Sequence, residues 1–121
     1  MTVVIWAGVA VIGGLGAVLR FLVDRTVSSR IHASFPYGTF VVNISGALLL
    51  GLLSGLALRP DLALVVGTGF VGAYTTFSTW MLETHRLAEE RQLRPAVANI
   101  VVSIAVGLVA AALGVWIGGR L

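Results

Sequence analysis

Residues 2–19, 39–58, 62–82 and 96–118 of this chain contain no Asp, Glu, Lys or Arg. Each run is close to the roughly 20 residues that an α-helix needs to cross a bilayer core of about 30 Å. Of 121 residues, 58% are apolar and thirteen are charged, too few charges for the polar surface of a soluble domain this size. The expected fold is an all-α integral membrane protein: four transmembrane helices in a single domain over residues 1–121. The first run has no basic flank before it and continues past Ala17 into Arg20-Phe21-Leu22, so it is expected as a retained helix and not a cleaved leader.

The third run is the least comfortable as a plain helix. Gly67, Gly69 and Gly72 weaken it, and adjacent Thr75 and Thr76 crowd their own χ1 rotamers. Hydroxyls at Tyr74, Thr75, Thr76, Ser78 and Thr79 then fall among aromatic rings. In lipid, irregular backbone is tolerated only where protein buries it or where it lines a cavity. A broken third helix at a functional centre is therefore expected between Gly69 and Trp80.

Polar residues elsewhere allow two readings each. Arg20 ends the first run with Asp24 one turn on. It either snorkels to headgroups or faces a wet vestibule that concentrates anions. Asn43 lies about a turn inside the second run, either as interhelical glue or as a pore-lining donor. Phe77 and Trp80 share a face, for packing or for something more specific. Asn99, Ser103 and Gly107 recur every four residues on the last run, as a packing seam or as one wall of a pore. Gly51 and Gly55 form a GxxxG pair, a surface suited to close helix approach. Arg59-Pro60-Asp61 is so short a link that helices two and three are expected to be antiparallel neighbours. Residues 24–37 are expected as a polar connection, and residues 83–94 as a solvated helical extension with no chemistry assigned.

Several functions are disfavoured. The net charge of +3 comes from arginine alone and is nowhere dense enough for nucleic acid. With no cysteine, no acid–base pair and no intramembrane histidine, an enzyme is not expected. A small multidrug-type, proton-coupled transporter needs a carboxylate within the membrane, and the four runs hold none. A non-transporting assembly subunit, its glycines serving only packing, is the other alternative.

The motifs Gly13-Gly14-Leu15-Gly16-Ala17-Val18-Leu19-Arg20, Gly38-Thr39-Phe40-Val41-Val42-Asn43-Ile44-Ser45-Gly46 and Gly69-Phe70-Val71-Gly72, the last running into Thr75-Thr76-Phe77-Ser78-Thr79, together with Ser103 and Gly107, resemble the small Fluc (CrcB-type) fluoride channels. The resemblance covers essentially the whole chain. It implies an antiparallel dimer with two fluoride pores. By the same resemblance, Asn43 would be a fluoride-facing amide and Phe77 would present its ring edge to the ion. Ser78, Thr79 and Ser103 would belong to a polar track, and Arg20 would match the arginine ending helix one. Backbone carbonyls of Gly72 and Thr75 would hold a structural sodium ion shared by the two subunits. Two positions depart from the family's pattern: Trp80 stands where a second pore phenylalanine is usual, and Asn99 where a tyrosine is frequent. The Trp80 N–H is expected either to donate to the anion or to leave its ring narrowing the path.

Arg20, Arg25, Arg30, Arg86, Arg91 and Arg94 flank one side of the membrane, and Arg59 and Arg120 the other. The positive-inside rule then places both termini outside. This imbalance predicts a preferred orientation and pairing with an oppositely oriented homologue, with a dual-topology homodimer as the default. Passive fluoride export suits a bacterial inner membrane, where HF enters and ionises, and there it would confer fluoride resistance.

Overall fold

The computed structural model describes residues 2–121, and they are helical throughout apart from short links. The elements are α1 (Thr2–Arg30), α2 (Tyr37–Leu56), α3 (Pro60–Ala63), a π-helical segment (Leu64–Val71), α4 (Gly72–Tyr74), α5 (Ser78–Glu89) and α6 (Leu93–Arg120). Four helical spans, with Pro60–Glu89 counted as one, are long and apolar enough to cross a membrane, as expected from the uncharged runs. The chain is a multi-pass membrane protein. Large apolar side chains such as Val11, Leu15, Val18, Leu108 and Val109 point outward, which is the economical arrangement when the solvent is lipid.

Two links differ from the sequence expectation. The polar stretch after Arg20 is not a loop from residue 24, because α1 continues to Arg30. No glycine or proline interrupts it there, and Ser28 Oγ donates to Asp24 Oδ1 across one turn at 3.1 Å. Helices two and three are also not close neighbours over their length. The main partner of α2 is α6, whereas the π segment and α4 lie mainly on α1 and α5 lies on α6. A short Arg59–Pro60 turn controls chain direction, but helix contacts are decided by which faces fit.

The fit is visible in the glycines between α2 and α6. A Cβ placed on Gly51 or Gly55 would fall within 3.0 Å of the backbone of Ala111 or Val115. One placed on Gly114 or Gly118 would strike the backbone of Leu48 or Leu52 in the same way. Four missing side chains thus let two backbones touch, giving dispersion contacts that lipid cannot supply as well. Along α6 the stripe has two uses: Gly114 and Gly118 form this seam, while Gly107 meets only the tip of Ile44, 3.7 Å away.

The third span changes partner partway along. Residues 75–77 lie between α4 and α5 and are not helical, and Thr75 is extended at φ −83°, ψ 161°. Before this point the span follows α1, held by the approach of Gly16 to the Phe70 backbone; after it, the span follows α6. The face of α2 around Asn43 and Gly46 lies beside the crossover.

Gly114→Val should wedge the seam apart and lower stability by about 1–3 kcal/mol, read as an earlier thermal unfolding transition in detergent. Gly119→Val, on a glycine whose Cβ would meet nothing within 4 Å, should change it by less than about 0.5 kcal/mol.

Candidate ion pathway

In a continued helix the N–H of Thr76 would bond the carbonyl of Gly72. Here it donates to Asn43 Oδ1 at 2.8 Å, and Asn43 Nδ2 donates back to the Thr76 carbonyl at 2.8 Å. One side-chain amide therefore satisfies both backbone groups of the residue at the centre of the interruption. The Thr79 N–H, which would serve the Thr75 carbonyl, donates instead to Thr76 Oγ1 at 3.2 Å. The carbonyls of Gly72 and Thr75 thus both lose the partners that helical continuation would provide. The neighbouring turn is secured by Thr75 Oγ1, which donates to the Val71 carbonyl at 3.0 Å, and by a 2.9 Å bond between Ser45 Oγ and the Tyr74 hydroxyl. Gly46 completes the fit, since any Cβ there would overlap Thr75 Cγ2.

Around this crossover lies an open groove of about 330 Å³. Asn43, Thr75, Thr76, Phe77, Trp80 and Ser103 supply its polar and aromatic lining, and aliphatic residues from α2 and the π segment complete it. Not one of the lining residues is ionisable. Asn43 retains one N–H after bonding Thr76. Ser103 Oγ is buried and has no protein partner, so the groove wall carries an unspent hydroxyl. Phe77 is 70% exposed and stands edge to face with Trp80, ring centroids 5.8 Å apart.

A second, smaller cavity of about 140 Å³ brings Arg20, Asp24 and Thr79 together with Thr39 and Thr76. Thr76 belongs to both cavities, and Arg20 is the cationic member of the smaller one. Gly72 and Thr75 line a third hollow with Leu50, Gly67 and Thr68. Ser78 is exposed at the start of α5 and lines none of these three.

Of the two departures, Trp80 lines the groove and Asn99 does not. Trp80 keeps its ring in the groove wall, but its indole N–H donates to the Asn99 carbonyl at 2.9 Å and so is not available to an anion. Asn99 is 0% exposed and lines none of the three cavities. Its amide donates to Thr84 Oγ1 at 2.8 Å and toward the Trp80 carbonyl at 3.4 Å. The two residues that depart from the family's pattern are thus mutual partners fastening α5 to α6. The sequence argument did not single out Thr84, although its spacing of four from Trp80 places it on the same helical face. Glu83, expected as the start of a solvated extension, instead has a buried Oε1 beside the Thr39 hydroxyl.

Four membrane-length helices with an uncharged groove of polar, aromatic and aliphatic residues at the third-span crossing define a polytopic membrane protein. Residues 7–115 match the family described as "CrcB-like protein, Camphor Resistance (CrcB)". The chain belongs to that family. It is 68% identical over 117 residues to "Fluoride-specific ion channel FluC 2" of Mycobacterium tuberculosis (strain ATCC 25618 / H37Rv), covering 97% of this chain and 93% of the relative. It is 46% identical to "Fluoride-specific ion channel FluC 1" of Leifsonia xyli subsp. xyli, covering 98% and 90%. It is 45% identical to "Fluoride-specific ion channel FluC 1" of Symbiobacterium thermophilum, covering 93% and 96%.

Replacing Asn43 by Leu removes both bonds to Thr76 and leaves backbone polar groups unpaired. The expected loss of stability is about 1–3 kcal/mol, and amide hydrogen exchange should rise at Thr76 and Phe77 before the rest of the third span.

Proposed function

We propose that the chain is a subunit of a fluoride-selective channel that lets cytoplasmic fluoride leave passively. The observation that carries this is the lining of the groove: an Asn43 N–H, the unpaired Ser103 hydroxyl and the exposed Phe77, with no fixed charge among them. Fluoride is small and holds its water tightly, so a path must replace that water with hydrogen-bond donors at each step. Neutral amide and hydroxyl donors do so without the trapping that a buried cation would cause. The positive edge of the Phe77 ring adds a weak attraction. Arg20 in the smaller cavity supplies the long-range pull that raises local anion concentration, and Thr79 beside it continues the polar surface. Asn99 and Trp80 hold α5 in place for the ion without touching it through their N–H groups. The relatives' printed names support the same substrate.

An antiparallel dimer accounts for features that one chain leaves open. The groove is open on one side, and Phe77 projects from it largely uncovered. An oppositely inserted subunit of the same fold, a homologue or an inverted copy, would close both, giving two pores related by a true or pseudo-twofold axis. The released carbonyls of Gly72 and Thr75 suit a hard cation such as sodium, which takes oxygen ligands. Two carbonyls per chain are too few alone, so an inverted partner supplying the same pair would complete the cage. The sodium ion would then be structural, pinning the two interruptions together.

The proton-coupled transporter reading is weaker, since Glu83, the membrane-proximal carboxylate with a buried oxygen, is not among the groove residues. An assembly subunit would have no use for an unspent amide N–H and an unpaired hydroxyl in a groove wall. The location proposed is the bacterial inner membrane. The arginine distribution, six to two, supports a preferred orientation with both termini outside and a partner inserted the other way.

Proteoliposomes loaded with fluoride should discharge it under an electrical gradient and retain chloride. Asn43→Asp should lower that flux at least a hundredfold, because a carboxylate repels the ion; an unchanged rate would remove Asn43 from the path. Reporters fused to the C-terminus and active on a single side of the membrane should give signal mainly from the outside, and equal signals would instead establish dual topology.

A further inference from the structure

The turn from α5 to α6 carries charge that the ion pathway does not use. Its carboxylates are occupied: Glu89 pairs with His85, and Glu90 accepts from Gln92 Nε2 at 3.2 Å and lies 3.9 Å from Arg86. Arg91 and Arg94, by contrast, have no carboxylate within 4.0 Å among the described residues. Arg91 also occupies a left-handed position, φ 60°, where a helix ordinarily ends on glycine.

Both arginines line a pocket that opens along α6. Leu93 and Arg94 belong to this pocket and also to an adjoining apolar groove of about 480 Å³, continued by Val97, Val101 and Val102. All four of these apolar side chains are exposed. At 1.5 Å per residue, Arg94 and Val101 are about 10 Å apart along the helix axis. This is the depth over which a lipid passes from its phosphate into its acyl chains.

The geometry points to a binding site for one anionic phospholipid, its phosphate held by Arg91 and Arg94 and one acyl chain lying on Leu93, Val97 and Val101. Charge complementarity selects the occupant. Two unpaired guanidiniums above an apolar channel match a net-negative headgroup attached to a hydrocarbon tail, whereas a zwitterionic lipid brings its own cation into a site that is already positive. The site is on the arginine-rich side of the membrane, which the positive-inside rule places in the cytoplasm. That leaflet carries a negative surface potential.

The test is native mass spectrometry of the full-length protein, as purified from membranes, with phosphatidylglycerol or phosphatidylcholine of identical chains added. Phosphatidylglycerol should be retained and phosphatidylcholine largely lost. Arg91→Gln or Arg94→Gln should each lower retention about fivefold, and the pair roughly 25-fold. Arg59→Gln with Arg120→Gln, on the opposite face, should leave it unchanged. Val97→Trp, which fills the groove and keeps both charges, should also weaken retention. Equal retention of the two lipids, or undiminished phosphatidylglycerol in the Arg91/Arg94 double variant, would overturn the assignment. So would rapid disulfide crosslinking of Val97→Cys, the sole thiol in the protein, since that would place a second copy in the groove. Fluoride flux plays no part in these readouts, so the lipid site and the channel reading stand or fall separately.

Discussion

A single amide holds this structure open. Asn43 gives its oxygen to the Thr76 N–H and takes the Thr76 carbonyl in return, both at 2.8 Å. In water a chain can leave a helix at little cost because solvent replaces the lost bonds. In lipid each unpaired backbone group costs several kcal/mol, so an interruption persists only where protein supplies the partners. Asn43 supplies them from another helix, which also fixes where α2 and the third span meet. The third span can then leave α1 and pass to α6, and the groove lies at that crossing.

The surrounding architecture divides its polar groups into those that hold the crossing and those left free. Ser45, Tyr74, Thr75 Oγ1 and Thr76 Oγ1 are committed to protein partners. Asn99, Thr84 and the Trp80 indole are committed to each other across α5 and α6. Ser103 remains free in the groove wall, one turn from Asn99 on the same helix. A hydroxyl buried without a partner is a standing cost, about 1–3 kcal/mol where no water or ligand serves it. That cost is offset if something polar visits, and a fluoride ion accepting hydrogen bonds is the visitor proposed.

Rigidity elsewhere makes such a wall possible. The seam of Gly51, Gly55, Gly114 and Gly118 brings α2 and α6 into backbone contact over their far halves. Toward the other end the two helices carry Asn43, Ile44, Ala47, Ser103 and Gly107, and the groove opens there. One continuous stripe of small and polar residues is thus clamped at one end and open at the other. A packing seam and a groove wall therefore share one stripe.

Much of this was legible in the residues alone. Uncharged runs of bilayer length fix the four spans, because lipid tolerates little besides apolar helix. The motifs around Asn43, Gly72 and Ser103 mark the family, and the polar groups of the groove were named from their positions in those runs. Partner choice was not legible. Asn43 and Thr76 are 33 residues apart, and nothing local says that this amide serves a backbone and not only an ion. Nor does periodicity reveal that the Trp80 N–H turns toward Asn99, that α1 continues to Arg30, or that α2 prefers α6 to its neighbour in the chain. Hydrophobic pattern is a property of each segment, whereas hydrogen-bond assignment and close approach depend on which surfaces meet, and only the assembled tertiary structure decides that.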